Sequence, residues 1–188
     1  IASTRDDGCR LVACSGPALG ANVSSYRAEQ GYGLLAVTRF LLRLAEQHNL
    51  GDDQWELTVY CDNNKGMIKK ATTRYPMDSI YPNFTLSSDY DIVIELWQTI
   101  ASLEELNCTV HFRHIKEHQD KHKRYQDLPL PAQLNVQADQ LAAEFQRHHP
   151  TWDYRRAPVL PSSNIQLHLP NGTVTHHLKQ QLKKARTQ

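Results

Sequence analysis

The feature that most constrains this chain is a pair of β-forming runs on either side of an amphipathic stretch. Trp55–Cys61 alternates and is rich in β-formers, which predicts a strand with Asp62 at its C-terminal end. Over Asp89–Leu106, the residues Ile92, Val93, Leu96, Trp97, Ile100 and Leu103 recur at helical spacing, which predicts a helix with one apolar face. Cys108–Ile115 then predicts a further strand. Elements alternating in this way bury their apolar faces as helices against a sheet. The chain has 188 residues, 40% of them apolar, enough for one sizeable core. No stretch approaches the roughly 18 unbroken apolar residues of a membrane-spanning helix, so no membrane partner is expected.

The remaining segments extend this plan. Asp6-Asp7-Gly8 between short apolar runs predicts a hairpin whose second strand covers Arg10–Cys14. Ser24-Ser25 offers N-cap hydroxyls for a helix running to about His48, with Gly31 and Gly33 marking a bend or a close contact near its start. A short helix is expected over Asn64–Thr72 and a long irregular loop over Thr73–Ser88. Pro129 and Pro131 read as loop punctuation, after which Asn135 caps a helix to about Arg147. Residues 149–163 form a proline-marked linker, and residues 164–188 a β-hairpin with an Asn171-Gly172 turn and a basic helical tail. The expected fold is therefore α/β: a mixed sheet flanked by helices over residues 1–148, followed by the hairpin and tail.

The 21 basic and 20 acidic residues nearly cancel, so any nucleic-acid affinity must come from local clustering. Four scattered cysteines without a C-x-x-C pair point away from a disulfide scaffold and from a zinc ribbon. His111 and His114 fall on opposite faces of their strand and do not converge on zinc with Cys108. There is no apolar signal core, so an intracellular location, cytoplasmic or nuclear and not secreted, is expected. The opening at Ile1 reads as a piece of a longer chain.

Three acids sit near the ends of regular elements: Glu29 early in a helix, Asp62 at a strand terminus and Asp139 on the helix after Asn135. Carboxylates gathered from several elements repel one another, and a hard divalent cation such as Mg²⁺ makes such a gathering tolerable. Four motifs occur in order: Ser25-Tyr26-Arg27-Ala28-Glu29, Tyr60-Cys61-Asp62-Asn63, His114-Ile115-Lys116-Glu117-His118 and Asn135-Val136-Gln137-Ala138-Asp139-Gln140-Leu141-Ala142. Together they resemble the ribonuclease H domain of retroelement reverse transcriptases, over roughly residues 1–148.

The resemblance implies a metal-dependent endonuclease that cuts the RNA strand of RNA–DNA hybrids, as part of a polyprotein with an upstream reverse transcriptase domain. It implies two Mg²⁺ ions, with Mn²⁺ as a substitute, about 4 Å apart. Glu29, Asp62 and Asp139 would be metal ligands, and His118 would match the loop histidine that aids proton transfer or product release. Asn63, Asn135, Lys116, Lys121 and Lys123 would contact nucleic acid, and the chain would act as a monomer. Two departures stand out. The family's first strand, with its bridging aspartate, would precede Ile1, so this chain is expected to be weak or inactive alone. The run Gln30-Gly31-Tyr32-Gly33 is one residue longer than the family's spacing.

Each residue also has a plainer role. Glu29 suits the first turn of any helix, Asp62-Asn63 suits a turn, Asp139 suits a solvated helix face, and Trp97 suits a core. The lysines at 116, 121 and 123 suit a solvated loop. The alternatives to the nuclease are a non-catalytic nucleic-acid-binding module, a DNA transposase or integrase of the same broad fold, and a protein-interaction fragment.

Overall fold

The computed structural model describes residues 1–20, 23, 26–62, 66, 68–73, 87–149, 159–162 and 166–186; of residues 29–32 it describes the backbone alone. The chain forms a mixed α/β structure. Most of the loop expected over Thr73–Ser88, most of the linker and Asn63 lie outside the described residues.

The first hairpin forms as the sequence predicts. Strands β1 (Ala2–Ser3) and β2 (Arg10–Val12) pair antiparallel. Asp7 organises the turn: its carboxylate accepts hydrogen bonds from the Thr4 hydroxyl and, at 2.9 Å, from the Cys9 amide. These two donors favour the ionised form and hold the Asp7 pKa below its ordinary value. Gly8 completes the turn at φ +66°. The second strand ends at Val12, two residues short of the expected bound.

The long helix has two parts. Arg27–Leu34 is π-helical, and helix α1 continues over Leu35–Gln47. A π-helical turn closes i→i+5 bonds and so holds more residues per turn than an α-helix. The glycines at 31 and 33 fall in this stretch, where the sequence marks a bend.

Strand β3 (Trp55–Cys61) and strand β4 (Cys108–His114) pair in parallel along their whole length, from Trp55 opposite Cys108 to Cys61 opposite His114. Helix α3 (Tyr90–Glu105) makes the crossover between them. Among the described residues the strands form three separate two-stranded ladders, two antiparallel and one parallel. The main core lies where α3 meets the parallel pair. Leu34, Cys61, Ala71, Leu96 and Ile100 form its centre, with Val59, Val110 and Phe112 packed against it. Ala71 belongs to the short helix α2 (Lys69–Thr72).

Helix α3 is buried more completely than a one-faced helix. Every residue from Ile92 to Trp97 is buried, including Glu95. A second side of the helix meets α1, whose Arg39 pairs with the Glu95 carboxylate, and the Ser162 amide donates to the same carboxylate at 2.5 Å. Nothing in the periodicity of α3 announces this second cover.

Helix α4 (Leu130–His148) begins five residues before the expected cap at Asn135. The reason is Pro131. Proline is well suited to the first turn of a helix, where its missing N–H has no partner to lose. Asn135 is thus inside the helix, and its side chain is released from capping. Ala132 and Val136 pack on Ile115 and Leu128, seating α4 beside the end of β4.

The second hairpin, β5 (Leu167–Leu169) and β6 (Gly172–Val174), turns at Asn171-Gly172 as expected. It is anchored to the core. Thr173, Val174 and Thr175 are buried, and the Asp89 amide donates to the Thr175 carbonyl at 2.8 Å. Gly20 lies under Thr175; a Cβ there would sit 2.9 Å from the threonine methyl, at a backbone φ of +132°.

Beside this contact lies a buried ion network. Arg27 is 1% exposed. Its guanidinium donates to Asp91 at 3.0 and 2.8 Å, to Asp89 at 3.2 Å and to the Leu19 carbonyl at 2.9 Å. Burial pushes the Asp89 carboxyl above its ordinary value, and the Arg27 charge opposes that push. Removing one member of such a network leaves charge buried without compensation. R27A is therefore expected to lose about 3–5 kcal/mol of stability in urea unfolding. G20A is expected to lose more than about 1 kcal/mol, from strain and collision with Thr175 together.

Candidate functional site

Parallel β3 and β4 end side by side, and the chain leaves β3 at Asp62. A hydrogen bond from the Ile115 amide to the Cys61 carbonyl, 2.9 Å long, extends the pairing to that point. The His114 ring nitrogen Nε2 lies 3.2 Å from the Asp62 carbonyl oxygen and holds the backbone of the turn. The carboxylate of Asp62, half-buried, accepts a hydrogen bond from Asn135 Nδ2 at 3.3 Å.

Asn135 and Asp139 are one turn apart on α4 and so share a face. Asp139 lies at the exposed rim of this face. Loss of part of its hydration raises its carboxyl above the ordinary value, and the negative charge of Asp62 raises it further. His118 opposes the shift, while Asp120 and Glu117 add to it. The structure thus gathers Asp62, Asn135, Asp139 and His118 at one end of the parallel pair. Glu117 and Asp120 join them electrostatically. Neither was singled out from sequence, although Glu117 stands inside the His114–His118 motif.

His118 is exposed and adopts a left-handed backbone at φ +51°, a conformation uncommon outside glycine, asparagine, aspartate and histidine. It opens the loop that carries Lys116, Lys121 and Lys123, all exposed. Glu29 is placed by its backbone on the π-helical stretch, two residues after the buried Arg27. Its side chain lies outside the description, as does Asn63. Among the described residues no group of three or more His, Cys, Asp or Glu side chains is close enough to hold a metal ion.

The first hairpin borders the site through α4. Arg10 Nε donates to Gln137 Oε1 at 3.1 Å, and Gln137 also bonds the Tyr125 hydroxyl. A groove of about 440 Å³ lies elsewhere, between α1 and α3, lined by Arg39, Glu95, Gln98 and Pro161 among others.

The donor chemistry suits one hard cation. Mg²⁺ is commonly bound through one or two carboxylates and keeps several waters. Asp62 and Asp139 supply two carboxylates, and burial first and the Asp62 charge second hold the Asp139 carboxyl above its ordinary value. Compared with known proteins, the chain matches no family model, no curated protein and no solved structure.

The raised Asp139 carboxyl has a thermodynamic consequence. Because the folded state raises the pKa of Asp139, ionising that group costs folding free energy. The cost is absent below the ordinary carboxylate range near pH 4 and complete above the raised value. D139N is therefore expected to raise the melting temperature of the metal-free protein at pH 7, and to lose that advantage at pH 3. Equal melting temperatures at pH 7 would contradict the raised Asp139 carboxyl.

Proposed function

We propose that this chain is a ribonuclease H-like module of a retroelement reverse transcriptase, which cleaves the RNA strand of RNA–DNA hybrids with Mg²⁺. The observation that carries the reading is that Asp62, held by Asn135, and Asp139 lie close enough at the end of two parallel strands for the charge of one to act on the other. Ends of parallel strands are where α/β folds bind their ligands. The π-helical stretch offers independent support. The sequence is one residue longer than the family's spacing after Glu29, and a π-helical turn is the way a helix takes up an extra residue.

On this reading Asp62 and Asp139 bind the cation, with Glu29 completing the set. When bound, the cation activates water and offsets charge on the scissile phosphate. Asn135 holds the Asp62 carboxylate in place by donating from Nδ2. His118, on its exposed loop, takes or gives a proton at a ring nitrogen as the product leaves. Lys116, Lys121 and Lys123 attract phosphates, and Asn63 contacts the hybrid. Selectivity for a hybrid rests on 2′-hydroxyl contacts in a wide minor groove. The upstream reverse transcriptase domain would deliver the hybrid.

A four-carboxylate, two-ion centre needs an acid beyond these three. The reading therefore expects residues 1–188 alone to bind Mg²⁺ or Mn²⁺ but to cleave a labelled hybrid weakly or not at all. A longer polypeptide that supplies the fourth acid on an added strand is expected to cleave robustly. In that polypeptide D62N and D139N abolish cleavage, and N135A lowers it by about 10–100-fold, as is usual for groups that orient metal ligands. Binding without cleavage in the longer form would favour a non-catalytic module. Cleavage of duplex DNA ends in place of hybrid RNA would favour a transposase or integrase. Robust cleavage by residues 1–188 would overturn the requirement for a fourth acid.

A further inference from the structure

The C-terminal helix α5 (Leu178–Arg186) carries charge that the acid centre does not use. It contains Lys179, Lys183, Lys184 and Arg186 and no acidic residue. The whole chain has 21 basic and 20 acidic residues, so this is a local concentration and not a reflection of bulk charge. Lys179, Lys183 and Arg186 stand at i, i+4 and i+7, which places them on one helix face. All three are exposed. Leu178 and Gln181, half-buried, mark the side turned to the rest of the protein.

This helix is fixed to the fold. The amides of Gln180 and Gln181 donate to the His177 carbonyl at 2.9 and 3.0 Å, forming the first turn. The His177 amide in turn donates to the Ser88 hydroxyl at 3.3 Å. Lys70 of α2 donates from Nζ to the Ser88 carbonyl at 3.3 Å. One serine thus ties the start of α5 to α2, the helix that follows Asp62 along the chain. Lys69, next to Lys70, is exposed on α2.

We infer that the Lys179–Lys183–Arg186 face of α5 is an auxiliary binding track for the phosphate backbone of a nucleic-acid duplex. The inference rests on the hybrid-nuclease reading for the identity of the duplex. Its charge pattern stands apart from that reading. A row of cations a helical turn apart matches a regular polyanion, from which it releases counterions. A lipid surface fits less well. An interfacial helix buries a broad apolar face, and here the exposed apolar contribution is Leu182, with no aromatic residue in the helix.

The test is equilibrium binding of a fluorescent RNA–DNA hybrid to the full chain in EDTA, so that cleavage plays no part. Salt is varied from about 50 to about 200 mM. The triple variant K179E/K183E/R186E is expected to lower the slope of log affinity against log salt by about 2–3, close to one per lost phosphate contact. K179R/K183R is expected to keep the wild-type slope. Should the charge reversal disturb folding, seen as a lowered melting temperature, K179Q/K183Q/R186Q supplies the same comparison. An unchanged slope in a folded variant overturns the proposal. So does tighter binding of the wild type to anionic phosphatidylserine vesicles than to the hybrid, or no hybrid binding at all. A chain that loses slope as expected, yet never cleaves in its longer form, supports the track and sinks the nuclease reading alone.

Discussion

The structure depends on one buried guanidinium. Arg27 joins segments that are distant in sequence: the backbone at Leu19, the π-helical stretch on which it stands, and the first turn of α3 through Asp89 and Asp91. Asp89 also holds the C-terminal hairpin through the bond from its amide to Thr175. Burying these charges is expensive, and only the mutual pairing makes it tolerable. Glu29, the third acid of the proposed centre, stands two residues after Arg27 on the π-helical stretch. The hairpin and α5 likewise hang from the same node.

A different constraint governs the acid pair. Asp62 is set by the strand end, through the pairing of β3 with β4 and through His114. Asp139 is set by α4, whose position follows from the packing of Ala132 and Val136 on Ile115 and Leu128. Two elements thus bring like charges within electrostatic reach, and Asn135 donates to one of them. A raised carboxyl beside a second acid is a candidate for function.

Much of this was legible from the chain. Strands β3 and β4, helix α3 and both hairpins follow from alternation, helical spacing and the Asp-Gly and Asn-Gly turns. These signals are local. The start of α4 was misread, because Pro129 and Pro131 read as loop punctuation when Pro131 begins a helix. The burial of Glu95 on α3 was hidden as well, since its partners, Arg39 on α1 and the Ser162 amide, lie more than 50 residues away. The Arg27 network could not be read either. Its aspartate partners lie more than 60 residues away, and an arginine in a polar run gives no sign that it will be buried. At the site, Asp62, Asn135, Asp139 and His118 do come together as the motif order suggested. The contribution of Glu117 and Asp120 depends on how the loop after β4 folds back, which spacing alone does not reveal.

The central claim is that Asp62 and Asp139 share a divalent cation with the residue at position 29. Paramagnetic Mn²⁺ tests it directly, because it broadens the amide resonances nearest to it. Titrating Mn²⁺ into the isotopically labelled chain is expected to erase the signals of Glu29, Asp62 and Asp139 first, while those of the groove between α1 and α3 persist. Broadening centred on other acids, or spread evenly over the surface, would contradict the account.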